Sequence, residues 1–369
     1  MVFAPVMATG IASQLAGLGA LSSLSTPLFY LAQLIAAGIL ARRLFRILAP
    51  RARDHLHWLK KIDSAQATGN HDGGTDQASS QREGVMSIRR LFVASHAGSQ
   101  TVPIGFAVIA LGLAERGELI AAKAMVALAL AAMVWLDCPR CLVAASSLVR
   151  RALRSHLETD RSGGGLRIAS VEGSWFLVPA CPLAIAAAFS ATLSASQKST
   201  FQPSWFISDV LFGLVAAGLV GYALTLVLSA IRLFSVGLGG SLHTPWWIAA
   251  GCGGLAAASV GRANLAISPG RDSPAMAWAA LLAWSMASVL ILPVLARNAV
   301  MIMRRSPPWP PTFSTGVYAL GGYQVARMWK LAAIGEVAHV AGWLTVALWM
   351  LTSAVLAWLW MAMRTRHLS

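Results

Sequence analysis

Apolar residues in this chain come in long unbroken runs rather than in strict alternation, and short polar breaks separate the runs. Continuous runs of this length are helices, not strands. They predict ten segments, at about 3–21, 27–48, 91–114, 119–148, 174–195, 205–233, 244–266, 275–303, 309–330 and 336–363. Segments of about 20 apolar residues match the thickness of a bilayer's hydrocarbon core. The one long polar interruption, 49–89, mixes Asp, Ser, Gly, Gln and Arg and reads as a flexible loop. Its His55, His57 and His71 read as solvated rather than metal-binding.

Two kinds of segment alternate. The odd-numbered ones hold the helix breakers and small residues: VMATGIASQLAGLGA in the first, Pro103 and Gly105 in the third, Pro179 and Pro182 in the fifth, and Gly251, Gly253 and Gly254 in the seventh. Small residues let helix backbones approach closely or leave room for a lumen, and a proline's freed backbone groups are tolerated beside water or a neighbouring helix. The even-numbered segments are smoother and rich in Leu and Val. The expected fold is therefore an all-α polytopic membrane protein whose ten transmembrane helices form five helical hairpins around a central pore. The broken helices face inward and the regular ones face lipid. Candidate pore-lining positions are Thr9, Gly10, Pro103, Gly105, Pro179, Pro182, Gly251, Gly316, Leu320 and Gln324.

The ninth segment, WPPTFSTGVYALGGYQVARMWK, carries most of the chemistry. Its prolines fit a helix's first turn, where amides lack intrahelical partners. At about 100° per residue, Phe313, Val317, Leu320, Gln324 and Arg327 share one stripe, with a ring at one end and a cation at the other. That order fits a pore wall with an aromatic plug, a polar rung and a positive charge at one mouth. It also fits a packed helix whose Arg reaches to the interface.

Composition narrows the picture. The chain has 369 residues, 57% of them hydrophobic and 12% charged, which excludes a soluble globular domain. A formal charge of +15 would suggest nucleic acid in a soluble protein, but the cations crowd into alternate loops as cytoplasmic anchors do. No basic domain stands apart, so nucleic acid is not an expected partner. The bias orients both termini to the cytoplasm of a multi-pass protein of the cell membrane. Cys138 and Cys141 form a lone CxxC, which reads as two reduced thiols, or in the remote alternative as a membrane redox pair. No enzyme motif or paired carboxylate lies within a span, so no enzyme activity, metal or cofactor is expected. Intramembrane Asp, Glu and His are scarce, which favours a passive conduit over a proton-coupled carrier.

VMATGIAS, WFLVPACPL, TPWW before the Gly/Ala-rich seventh segment, and WPPTFSTGVYALG, in that order, resemble the tellurite-resistance/dicarboxylate transporter family. That family includes slow-type anion channels, malate permeases and sulfite efflux pumps. The resemblance spans nearly the whole chain. It implies a homotrimer in which every subunit has its own pore, lined by five kinked inner helices and occluded by a Phe that Phe313 matches. Pro103, Pro179 and Pro182 would be the kink residues. The family often has Pro or Gly after that Phe, whereas Ser314 and Thr315 follow here. Arg262 and Arg327, expected to be uncompensated, would draw anions to the mouth. The expected function is passive or weakly coupled passage of small inorganic anions. A proton-coupled C4-dicarboxylate carrier or an oxyanion exporter is the alternative.

Overall fold

The computed structural model describes residues 4–17, 23–38, 101–135, 173–197, 205–236, 246–268, 272–302 and 309–366. These residues form ten α-helices and one 3-10 turn, with no strand among them. In chain order they are α1 (Ala4–Gly17), α2 (23–38), α3 (Thr101–Glu115), α4 (Leu119–Trp135), α5 (Leu177–Gln197), α6 (Trp205–Val236), α7 (Trp246–Ile267), α8 (Pro274–Ile302), α9 (Trp309–Trp329) and α10 (Ala332–Arg366). The 3-10 turn Gly173–Phe176 leads into α5. The 49–89 loop, Cys138 and Cys141 lie outside the described residues.

Helix starts and stops follow local chemistry, and two starts differ from expectation. The second helix begins at residue 23, so Pro27 is its fifth residue and removes only the one intrahelical bond to the Ser23 carbonyl, close to the helix start. The tenth begins at Ala332, and the Gly335 amide already donates to the Leu331 carbonyl at 3.3 Å. Ser273 precedes Pro274 at the first position of α8, and its carbonyl accepts from Ala277 at 2.9 Å. α3 ends in a left-handed Gly117 (φ 81°), so that the Glu118 amide returns to the Leu113 carbonyl at 3.0 Å. α9 ends the same way, but with Lys330 at φ 53° and Leu331 bonded back to Ala326.

Burial alternates with helix number. In α1, α3, α7 and α9 nearly every described side chain is buried, and the apolar stretch of α5 is 78% buried. The apolar stretches of α6, α8 and α10 are only 22%, 33% and 28% buried. These three bury a single helical stripe, such as Leu211, Val215, Gly218 and Tyr222 in α6, and turn Leu, Val and Trp outward. Four helices, α5, α6, α8 and α10, are long and apolar enough to cross a membrane, while α3, α4 and part of α1 are shorter apolar helices.

The buried helices pack in a closed circuit. α1 meets α3, α3 meets α5, α5 meets α7, α7 meets α9, and α9 returns to α1. The outer helices brace it: α6 lies on α5 and α7, α8 on α7 and α9, and α10 on α9 and α1. Lipid tails are as apolar as Leu, so close packing rather than water exclusion must hold such helices together. The α7–α9 contact shows how. A Cβ on Gly254 would stand 2.6 Å from the Tyr318 Cα, and one on Gly321 would strike the Gly254 carbonyl. The two backbones touch there because neither carries a side chain. Hydrogen bonds pin the seams: Ser259 Oγ donates to the Leu183 carbonyl (2.7 Å) between α7 and α5, and Trp349 Nε1 donates to Thr9 Oγ1 (2.9 Å) between α10 and α1.

Candidate functional site

Along the axis of the circuit runs a narrow cavity of about 20 Å³, close to the space one water molecule needs. Every buried helix contributes to its wall. Ile11 comes from α1, Ile104, Val108 and Leu111 from α3, and Ala184 and Ala187 from α5. Leu255, Ala258 and Arg262 come from α7, and Phe313, Val317 and Leu320 from α9. In α3, α7 and α9 the spacing is the helical i, i+3/i+4, i+7 stripe, so the wall is one face of each of these helices. Arg262 is the only charged residue in it.

Of the candidate positions, Phe313, Leu320 and Arg262 line this cavity. Gln324 and Arg327 extend the same α9 stripe toward the end where α3 turns into α4. There Gln324 lies over Gly261, and Arg327 Nη2 donates to the Gly261 carbonyl at 3.1 Å. Gly251 continues the α7 stripe the other way and faces Ser314, the neighbour of Phe313.

Other candidates sit at helix contacts instead. Gly10 admits Val108 of α3, Gly316 admits Ile11 of α1 and Thr345 of α10, and Thr9 accepts from Trp349 on the outer side of α1. Pro179, in the first turn of α5, packs against Gly221 of α6 rather than on the cavity. Pro103 occupies the first turn of α3 with buried Gly105 just beyond, so it does not break the helix as bounded. Pro182 lies in the interior of α5 and is half-buried.

Arg262 departs from expectation. Its Nη2 is 2.8 Å from Glu115 Oε1, so the cation at this mouth is paired, not free. The sequence spacing alone could not join them, because they are separated by 147 positions. Asp272 supplies further negative charge near Arg327, and its Oδ1 accepts from Asn264 Nδ2 at 2.6 Å.

Arg116, not singled out from the sequence, organises the rim beside them. Nη1 donates to the Gly112 carbonyl (2.9 Å), Nη2 reaches Ser13 Oγ (3.2 Å) and the Ser25 carbonyl (3.0 Å), and the guanidinium lies 3.8 Å from the centre of the Phe29 ring. One side chain thus ties α1, α2 and α3 together. Burial lowers its proton affinity, and Glu115, Tyr30 and Glu118 act in the opposite sense. An arginine stays charged under such opposed shifts. The signal that could have found it is its place in the Glu-Arg-Gly-Glu turn, where a cation between two carboxylates suggests an anchoring role.

Among the described residues, buried polar atoms without partners include both amide atoms of Gln14, Oε1 of Gln324, Nε of Arg327 and Oγ of Ser314, besides Arg116 Nε, the Tyr222 hydroxyl and Trp247 Nε1. His339 lies away from it on α10, where it accepts from Trp343 Nε1 at 3.0 Å. Among the described residues no group of three or more His, Cys, Asp or Glu could hold a metal. Cys181 and Cys252 are buried and belong to no disulfide. No protein-family model matches the chain, and no curated protein matches it.

Proposed function

We propose that this is a multi-pass membrane protein whose ten helices form five hairpins around a pore, and that the pore passes small inorganic anions. One observation carries the reading: five buried helices close a circuit around an axial cavity whose only charged wall residue, among the described residues, is an arginine. A conduit for anions needs attraction strong enough to admit the ion and weak enough to release it. A paired cation at one mouth and an uncharged apolar interior supply that balance.

Phe313 is the gate in this reading. Its ring is 6% exposed and fills the end of the cavity opposite Arg262, so the lumen is closed by bulk and by dewetting. The outward apolar faces of α6, α8 and α10 are the lipid or subunit surface, and the family resemblance suggests a homotrimer with one pore per subunit. Both termini are cytoplasmic, which sets the Glu115–Arg262 mouth on the outer side.

The test is anion flux into proteoliposomes containing the purified full-length chain. Phe313→Ala is expected to raise chloride or nitrate flux several-fold over the unaltered protein. Unchanged flux with retained fold removes Phe313 as the gate. Malate uptake that depends on a pH gradient and exceeds chloride flux turns the assignment to the carrier alternative.

A further inference from the structure

The mouth above the cavity contains a side chain that packing does not explain. Gln14 is 5% exposed, yet neither its amide nitrogen nor its amide oxygen has a partner. Burying an unpaired amide is costly, and a Leu or Met of similar volume would fill the same space without that cost. Such a group is retained where something polar comes to it.

Helix geometry tells where it is aimed. On α1, Gly10 admits Val108 of α3, and Ile11 touches both the cavity and Gly316 of α9. At about 100° per residue, Gln14 falls between those two directions, about 60° from Ile11 and about 40° from Gly10. That arc faces the axis, one turn outward of Ile11. The same construction on α9 sets Gln324 between Gly321, which meets α7, and Gly316, which meets α1. Gln324 therefore continues the cavity-facing arc of α9 one turn outward of Leu320, with its side chain against Gly261 of α7 and its Oε1 unpartnered. Arg262 already lines the cavity at this level and spends Nη2 on Glu115. Arg327 spends Nη2 on the Gly261 carbonyl and leaves Nε without a partner.

We propose that Gln14, Gln324, Arg262 and Arg327 form a binding station for one small, partly dehydrated monovalent inorganic anion at the outer mouth. The assignment rests on reading the cavity as an anion conduit and names where the ion first sheds water. The amide hydrogens of Gln14 and the Nε hydrogen of Arg327 replace lost waters, while the amide oxygens hold waters that stay on the ion. Glu115 and Asp272 offset most of the two positive charges, so the station selects by hydrogen bonding and size and does not trap the ion. A C4-dicarboxylate is too large for it and would meet too little net positive charge.

Chloride NMR line broadening on the full-length protein in detergent tests binding without requiring flux. The expected result is saturable excess linewidth, half-saturating at roughly 1–30 mM, the weak range from which an ion also leaves readily. Nitrate displaces it and malate at equal concentration does not. Gln14→Met, with circular dichroism and gel filtration unchanged, weakens binding at least about threefold, a difference that needs only a fraction of one good hydrogen bond. If Gln14→Met misfolds, Gln14→Glu is the second variant, of nearly equal volume, and it abolishes the broadening by repulsion. No saturable broadening in the unaltered chain, unchanged broadening in the folded Gln14 variants, or displacement by malate overturns the proposal. Proteoliposome flux separates the two claims: flux without saturable binding leaves the conduit and removes the station, and binding without flux in Phe313→Ala does the reverse.

Discussion

Neutralising Glu115 should speed anion entry, by an amount the geometry sets. Glu115 Oε1 is 2.8 Å from Arg262 Nη2, and the two side chains are 35% and 17% exposed. An anion on the far side of that guanidinium stands about 6–7 Å from the carboxylate. At a water-like dielectric the repulsion is about 0.6 kcal/mol, and at an effective dielectric near 20 it is about 2.5 kcal/mol. Partial exposure places the pair near the lower figure. Glu115→Gln should therefore raise chloride flux about three- to fivefold, best read in a Phe313→Ala background where the gate does not limit it. The gain belongs to low salt, because the screening length falls from about 30 Å at 0.01 M to about 3 Å at 1 M. Proteoliposomes balanced with sucrose give both conditions. Glu118→Gln, exposed in the same turn and off the cavity stripe, serves as the control and should gain less. A lower flux in Glu115→Gln, or an equal gain at both salt levels, would show that the pair fixes the fold of the mouth and does not tune its potential.

Gly254→Ala should destabilise the protein by about 1–3 kcal/mol in thermal unfolding in detergent, because the new Cβ would meet Tyr318 backbone atoms at 2.6–2.7 Å and must push α7 from α9. Gly213→Ala, with nothing within 4 Å, should cost nothing, and equal effects of the two would refute the close-contact reading. Lys330→Gly should raise stability by about 1 kcal/mol, since it relieves a left-handed residue at an exposed helix end; a fall in the unfolding midpoint would show that the lysine has a second role. Leu320→Ala combined with Phe313→Ala should conduct more than Phe313→Ala alone, because Leu320, Leu111 and Leu255 still narrow the lumen beyond the ring. Identical flux in the two would confine the barrier to Phe313.

The alternation of slender and smooth helices was legible because it reflects what each helix touches. A helix surrounded by other helices must lose bulk on every face, whereas one facing lipid keeps Leu and Val on most of its surface and small residues on a single stripe. The α9 stripe was legible for the same reason: period alone puts Phe313, Val317 and Leu320 on one face. Which face was not legible. Gly10, Gly316 and Pro179 are small or stiff because a neighbour's side chain or helix presses on them, and a residue made small by a neighbour reads like one made small by a lumen. The Glu115–Arg262 pair and the four-way anchor of Arg116 depend on contacts between distant segments, which no local pattern encodes. Gln14 was hidden because a single amide in an Ala/Ser/Gly-rich helix has no period; only its lack of partners in the folded chain makes it conspicuous.

The distribution of polarity along the axis follows from the energetics of moving an ion through such a ring. From Phe313 to Leu320 the α9 wall rises about 10 Å, and every wall residue there is apolar. A bare anion in that stretch would lose its hydration with nothing to replace it, so it can cross only where the lumen widens enough to carry water with it. A fixed cation in the middle would lower the entry barrier and create a well from which the ion could not leave. If the cavity is the proposed anion conduit, arginines at the rim, one of them paired with Glu115, would confine attraction to where the ion still has part of its shell. In the proposed conduit, the apolar stretch would set when the ion passes, and the rim would set which ion is offered to it.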